Sequence, residues 1–211
     1  DPDRRYDRIY IGGDYGQQNA TTFEAFGLDT YRKKFPGLGE YYHSGRESGR
    51  QKSPSEYARD LVEFMDGLHE QYENRIFYIF LDPSAKGLAE EVRRATRTGL
   101  DYQVFLRDAE NDVAFGISRV QKALVFDIMS ISPKQEYAVQ EFGTYEYDKK
   151  SIEKGKEVPV KEADHCMDAI RYVVMGAWSK IKHWLPLDIV EDDVNIGDIS
   201  SREVREEDEY L

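Results

Sequence analysis

One cysteine in 211 residues, Cys166, rules out an internal disulfide and any zinc site built from several thiolates. A metal bound by this chain is therefore expected on oxygen ligands. The longest apolar run, Ile76 to Leu81, falls far short of the roughly 20 residues that a helix needs to span a bilayer. The N-terminal DPDRRYDR has no secretory signal pattern, and the two absences together predict a soluble, intracellular chain. Neither a G-x-x-x-x-G-K-[ST] phosphate loop nor an internal repeat occurs, so no P-loop motor is expected within it. The first residue is Asp1, which sets the expectation of a portion excised from a longer protein.

Positive charge is also scarce. The formal net charge is −12, which at first sight argues against a nucleic-acid partner, because phosphate contacts need Lys and Arg. The deficit is uneven: residues 187–211 hold ten acidic side chains against Arg202 and Arg205, which leaves residues 1–186 at −4. Part of that belongs to whatever acidic site exists, and bound divalent ions invert the field of such a site. What the chain does have is 40% hydrophobic and 13% aromatic residues, enough for one sizeable core. The expected organisation is one α/β domain, residues 1–186, followed by an acidic tail, residues 187–211, that is disordered or binds a partner.

Residues 8–13 read as a strand ending at Gly12-Gly13-Asp14-Tyr15-Gly16, residues 20–28 as a second strand and residues 40–44 as a third. Between the last two lies a basic excursion, 29–39, containing Gly and Pro, and a polar loop, 45–52, follows. Ser53-Pro54-Ser55-Glu56 then supplies cap, proline and acidic first-turn signals for a helix whose Tyr57, Leu61, Phe64, Met65 and Leu68 recur at helical spacing. Ile76 to Leu81 is a continuous apolar run, the mark of a strand buried on both faces, and ends at Asp82-Pro83. Helices are expected at 84–98, 111–123, 134–142 and 163–181, a short strand at 101–106, and a hairpin or loop at 143–160. The fold class is thus α/β, with a central mixed sheet of three antiparallel strands followed by parallel ones, flanked by helices.

A helix after three antiparallel strands returns the chain most simply by a right-handed crossover, so the 76–81 strand should lie parallel beside the first. Neighbouring strands are about 4.8 Å apart, which would set Asp14 and Asp82 side by side at the carboxyl edge where open α/β sheets bind ligands. Singly, Asp14 is a turn residue in a Gly-rich bend and Asp82 a helix cap. A third acidic cluster changes their weight: in Glu162-Ala163-Asp164-His165-Cys166-Met167-Asp168-Ala169-Ile170-Arg171-Tyr172, helical spacing sets Asp164 and His165 beside Asp168. Acidic residues favour helix N-termini, which accounts for Glu162 and Asp164 but poorly for Asp168. Cys166, Ile170, Val173 and Ala177 form the obvious core stripe, with Asp168 roughly opposite. Tyr172, Met175, Ala169 and Trp178 make the helix apolar nearly all round, so a carboxylate there needs a partner.

The order of Asp in GGDYG, Asp in IFYIFLDPS and the late DHCMDAIRY resembles the nuclease domain of the large terminase subunit of tailed bacteriophages. The likeness spans roughly residues 8–180, and its last motif, Asp-His-x-x-Asp-Ala-x-Arg-Tyr, is the most specific part. The resemblance implies a ribonuclease-H-like fold and an endonuclease that cuts concatemeric double-stranded viral DNA during packaging. It makes Asp14, Asp82 and Asp168 metal ligands, and His165 a further ligand or nearby polar catalyst. It also implies Mg²⁺ or Mn²⁺, with two ions driving in-line hydrolysis of a phosphodiester. Partners implied are double-stranded DNA, an ATPase domain preceding this one, the portal protein and the small terminase subunit, all in the cytoplasm of an infected bacterial host.

The residues leave rivals open. Asp14-Tyr15-Gly16 with Thr21 and Thr22 also resembles one phosphate-binding hairpin of an actin-like ATPase, although no second such segment follows. Carboxylates alone do not distinguish a Holliday-junction resolvase or ribonuclease H of the same fold. For backbone phosphates the candidates are Arg46, Arg50 and Lys52 in one loop, and Lys149, Lys150, Lys154 and Lys156, interleaved with Tyr145 and Tyr147, in another.

Overall fold

Side chains alternate across the central strands of the computed structural model, which describes residues 5–16, 19–145 and 164–189. Strands β1 (Arg8–Tyr15), β2 (Ala20–Leu28) and β3 (Phe35–Ser44) form an antiparallel meander. β4 (Ile76–Leu81) joins β1 in parallel and β5 (Gln103–Asp108) joins β4 the same way, while the two-residue β6 (Met129–Ser130) runs parallel to the start of β3. The sheet order is β5-β4-β1-β2-β3-β6, the expected mixed sheet.

Helices are α1 (Gly45–Ser48), α2 (Pro54–Tyr72), α3 (Lys86–Ala95), α4 (Val113–Val125), α5 (Glu136–Thr144) and α6 (His165–Ile181). Ile9, Ile11, Phe23, Phe77 and Ile79 pack with Leu61, Met65, Leu88 and Val92 of α2 and α3 on one face. Tyr10, Phe26, Leu28 and Phe80 pack with α6 and with Ala123 and Ala138 of α4 and α5 on the other. Each fully buried Leu, Ile, Val, Phe or Met among them contributes about 1.5–3 kcal/mol of apolar transfer. The Ser53–Glu56 signal forms a full capping box at the start of α2. α6 buries twelve of its 17 residues, so most of its circumference packs inside the domain, as its composition predicts. No described helix is long and apolar enough to cross a membrane.

Several boundaries differ from the sequence expectation, each for a packing reason. β1 runs through Gly12 and Gly13 to Tyr15, because these glycines serve close approach within the strand. β3 starts at Phe35: the excursion shrinks to a turn closed by the Asp29–Lys34 bridge, and Pro36, Gly37 and Gly39 lie inside the strand. A Cβ on Gly37 would sit 1.7 Å from Gln135 Oε1, so that glycine makes room for a side chain packed on the sheet. The loop 45–52 includes the short α1, capped by Ser44. α3 starts at Lys86 without a side-chain cap, so Asp82 does not cap it. β6 was not expected; two residues carry no periodicity to read. α5 extends to Thr144, and the rest of the expected 143–160 hairpin lies outside the described residues beyond Tyr145, as do Lys149, Lys150, Lys154, Lys156, Tyr147 and the tail from 190.

Candidate functional site

The site is assembled by two close approaches of α6 to the sheet. A Cβ on Gly12 would lie 1.9 Å from the Ala169 carbonyl oxygen, and one on Gly176 would lie 2.3 Å from Phe80 Cζ, so only glycine at both positions lets α6 settle on β1 and β4. Strand alternation then turns Asp14, two residues beyond Gly12, toward the N-terminal end of α6. Gly13 pairs with Leu81, which sets Asp82 beside Asp14 one step further along the register. Asp82 follows Phe80 on the same face, and its Oδ2 accepts a 2.8 Å bond from Tyr172 Oη of α6. Asp14, Asp82, His165 and Asp168 are thereby gathered at the carboxyl ends of β1 and β4.

Each carboxylate has its own counter-group. Asp14 Oδ2 lies 2.7 Å from His165 Nδ1, and the His165 carbonyl is anchored by Thr22 Oγ1 at 3.2 Å. Asp82 accepts from Ser84 N at 2.7 Å on Oδ1, and from Tyr172 Oη and Asn111 Nδ2 (3.2 Å) on Oδ2. Asp168 Oδ1 accepts from Arg171 Nη2 at 2.8 Å and Nε at 3.3 Å. Arg171 is the partner that an apolar helix demands for Asp168: it is 2% exposed, and its Nη2 also donates to Asn111 Oδ1 at 3.0 Å. Hydrogen bonds and one buried guanidinium thus offset part of the repulsion among these clustered carboxylates. The donor atoms of the three aspartates are not all within 4.8 Å of one another.

The electrostatics follow these contacts. Burial raises the Asp14 carboxyl despite the opposing His165 bond and charge, with Asp168 and Asp164 adding repulsion. Burial also acts upward on Asp82, but the Ser84 and Tyr172 bonds and the Arg171 charge outweigh it and hold the carboxyl below its ordinary value. The hydrogen bond to Asp14 raises His165 against the effect of burial. Asp164 precedes α6 as its first flanking residue but makes no capping bond; Glu141 Oε2 from α5 does that work, accepting from Cys166 N at 2.7 Å and Met167 N at 3.1 Å.

Among the described residues, the one set of three potential ligands whose donor atoms do lie within 4.8 Å is Glu24, Glu40 and Cys166. Glu40 and one Glu24 oxygen are committed to other contacts, while Glu24 Oε1 is buried with no hydrogen-bond partner. Glu24 is wholly buried and its carboxyl is pushed well above the usual range by burial. Both Glu40 oxygens are occupied by Tyr137 N and Ala138 N at the start of α5 (2.7 and 3.1 Å), and Glu24 Oε2 accepts from Gln135 Nε2 at 2.8 Å. Burial thus disfavours charge on Glu24, and the α5 amides hold Glu40.

Of the basic side chains proposed for phosphate contact, Arg50 is paired with Glu56 and Lys52 with Asp60 at 2.6 Å, so both are already engaged within the domain. Sequence reading gave no role to Asn111, Arg171, Tyr172 or Glu141. The Arg171-Tyr172 pair stood in the motif, and its signal was a cation inside an otherwise apolar helix. Asn111 gave none beyond an ordinary helix start.

No protein-family model matches the sequence, and no curated protein matches it significantly. Solved structures do. The large terminase of a thermophilic bacteriophage, in complex with ATP-gamma-S, is similar with a TM-score of 0.70 and 32% identity over 81% of this chain and 40% of that one. The P22 large terminase nuclease domain matches with a TM-score of 0.59 and 17% identity, over 83% of this chain and 84% of that one. The nuclease domain of the bacteriophage SPP1 large terminase, with bound Mn, gives 0.52 and 18%, over 80% and 86%. The last two bear on the fold alone, and the chain spans about two fifths of the thermophilic phage protein. On these likenesses the chain is similar to part of a large terminase and has the ribonuclease-H-like fold of terminase nuclease domains.

Proposed function

We propose that this domain is a divalent-metal-dependent endodeoxyribonuclease that cuts concatemeric double-stranded viral DNA during packaging, with Asp14, Asp82 and Asp168 as metal ligands and His165 as an auxiliary ligand or polar catalyst. The observation that carries the reading is the convergence of the three aspartates at one sheet edge with coordinating capacity to spare. Among the described residues no protein donor reaches Asp14 Oδ1 or Asp168 Oδ2, and Asp82 keeps one of its roughly four lone-pair sites beside three donors. An all-oxygen donor set of this kind fits Mg²⁺ or Mn²⁺ and not a thiophilic ion, and Mn is what the SPP1 domain holds. When bound, two such ions would activate the attacking water and stabilise the departing oxygen of the phosphodiester.

The chain's own contribution is positional. β1 and β4 fix Asp14 and Asp82, α6 brings Asp168 and His165 to them, and the Asp14–His165 bond orients the imidazole at the rim. By the same reading the domain works in one polypeptide with an ATPase domain, consistent with ATP-gamma-S in the thermophilic phage protein, and alongside a portal protein and a small terminase subunit. Supercoiled plasmid incubated with the domain and Mn²⁺ or Mg²⁺ should be nicked and linearised, and EDTA should stop it. Undiminished cleavage in EDTA would refute the metal mechanism, and cleavage confined to RNA–DNA hybrid or branched DNA would refute the substrate.

A further inference from the structure

We propose that Asn111, Arg171 and Tyr172 form a positioning relay that ties Asp82 to Asp168 and so sets the spacing of two metal ligands carried on different elements. The inference rests on the metal-dependent reading above and goes beyond it, because none of the three needs to touch an ion or DNA.

Asn111 lies in the β5–α4 connection, between the two carboxylates. Its carboxamide is used at both ends with opposite polarity: Oδ1 accepts from Arg171 Nη2 at 3.0 Å, and Nδ2 donates to Asp82 Oδ2 at 3.2 Å. An aspartate could not donate to Asp82, and a lysine could not accept from Arg171. Arg171 completes the path to Asp168 through two bonds to Oδ1, and Tyr172 Oη places a second donor on Asp82 Oδ2 at 2.8 Å. The path therefore runs Asp82, Asn111, Arg171, Asp168 without a gap.

Two of its members, Arg171 and Tyr172, are packed, while Asn111 lies at the exposed edge and is held by its bonds. Tyr172 is buried, and the Arg171 guanidinium carbon lies 4.8 Å from the Tyr172 ring centroid. A Cβ on Gly116 would fall 2.4 Å from Arg171 Cγ, so α4 has opened a slot that the arginine stem fills. Arg171 Nη1 is buried with no hydrogen-bond partner, so the domain tolerates an unsatisfied donor to keep Nη2 and Nε aimed at Asn111 and Asp168. All the bonds made by the relay fall on Asp82 Oδ2 and Asp168 Oδ1, which leaves Asp168 Oδ2 for coordination.

Two variants test the relay without changing the charge of the site. Tyr172→Phe deletes one hydroxyl, and Asn111→Ala deletes the bridging amide. Mn²⁺ binding to the full chain is measured by electron paramagnetic resonance in the absence of DNA, with thermal melts to confirm folding. Outer groups that orient metal ligands typically control affinity by about 10- to 100-fold, so Asn111→Ala should raise the Mn²⁺ Kd about 10-fold or more. Tyr172→Phe should raise it less, because Asp82 Oδ2 keeps its Asn111 bond. Folded variants that both bind Mn²⁺ within twofold of wild type, while wild type binds and Asp14→Asn does not, would overturn the relay and leave the metal site standing. Wild type that binds no Mn²⁺ would overturn both.

Discussion

Asp168 is 28% exposed at its side chain, with one oxygen held by Arg171 and the other unclaimed among the described residues, whereas Asp164 makes no capping bond and His165 reaches the site through Asp14. These placements rank three substitutions. Asp168→Ala should be inactive; His165→Ala should cleave about 10- to 100-fold more slowly and shift its preference between Mg²⁺ and Mn²⁺; Asp164→Ala should be mildest. Cleavage rates of the three across both metals give the order, and an active Asp168→Ala beside a dead Asp164→Ala would reassign the ligand. Asp14→Asn and Asp82→Asn should abolish cleavage while the domain stays folded, since the amide keeps shape and loses charge. At this scale the aspartates were legible because motif order and strand ends both mark them. The groups that hold them were not, because Asn111 and Glu141 act across separations of 60 and 25 residues that no local pattern encodes.

Elements meet closely at Gly12, and that contact makes the site. Gly12→Ala would drive a methyl into the Ala169 carbonyl. We expect it to destabilise the domain by about 1–3 kcal/mol or more and to weaken Mn²⁺ binding by moving α6 off β1, which melts and a binding isotherm would register. Unchanged melting would mean that α6 sits elsewhere. The seam between α5 and α6 gives a pH signature. Burial pushes the Glu141 carboxyl up to about 7, against the bonds from Met167 N and Cys166 N that favour its charge. Its folded value thus exceeds its ordinary 4.5, so the stability it contributes is complete below that value and is lost as pH rises through about 7. Wild type should lose thermal stability across that window, and Glu141→Gln, which keeps a carbonyl for the α6 amides, should lose less; parallel profiles would contradict the assignment. Periodicity made the long helices and the apolar β4 plain in the sequence. It failed at β3, where Pro36 and Gly37 read as breakers although Pro36 lies at the start of the strand beside the two-residue β6 and Gly37 accommodates Gln135.

The whole molecule carries −12, and much of that charge lies in residues 190–211. Leu185 is buried and Ile189 still packs against the core, so a deletion that tests the tail belongs after Ile189. Removing residues 190–211 takes away nine acidic and two basic side chains. The melting temperature should hold and affinity for duplex DNA at low salt should rise. A large fall in melting temperature would show that the tail is docked on the domain. The described residues hold two acidic clusters, and we assign the metal to the one at the sheet edge. Anomalous diffraction from a Mn²⁺-soaked crystal decides between them. Peaks are expected against Asp14, Asp82 and Asp168 and none at Glu24, Glu40 and Cys166; a peak at the buried cluster alone would refute the sheet-edge metal site.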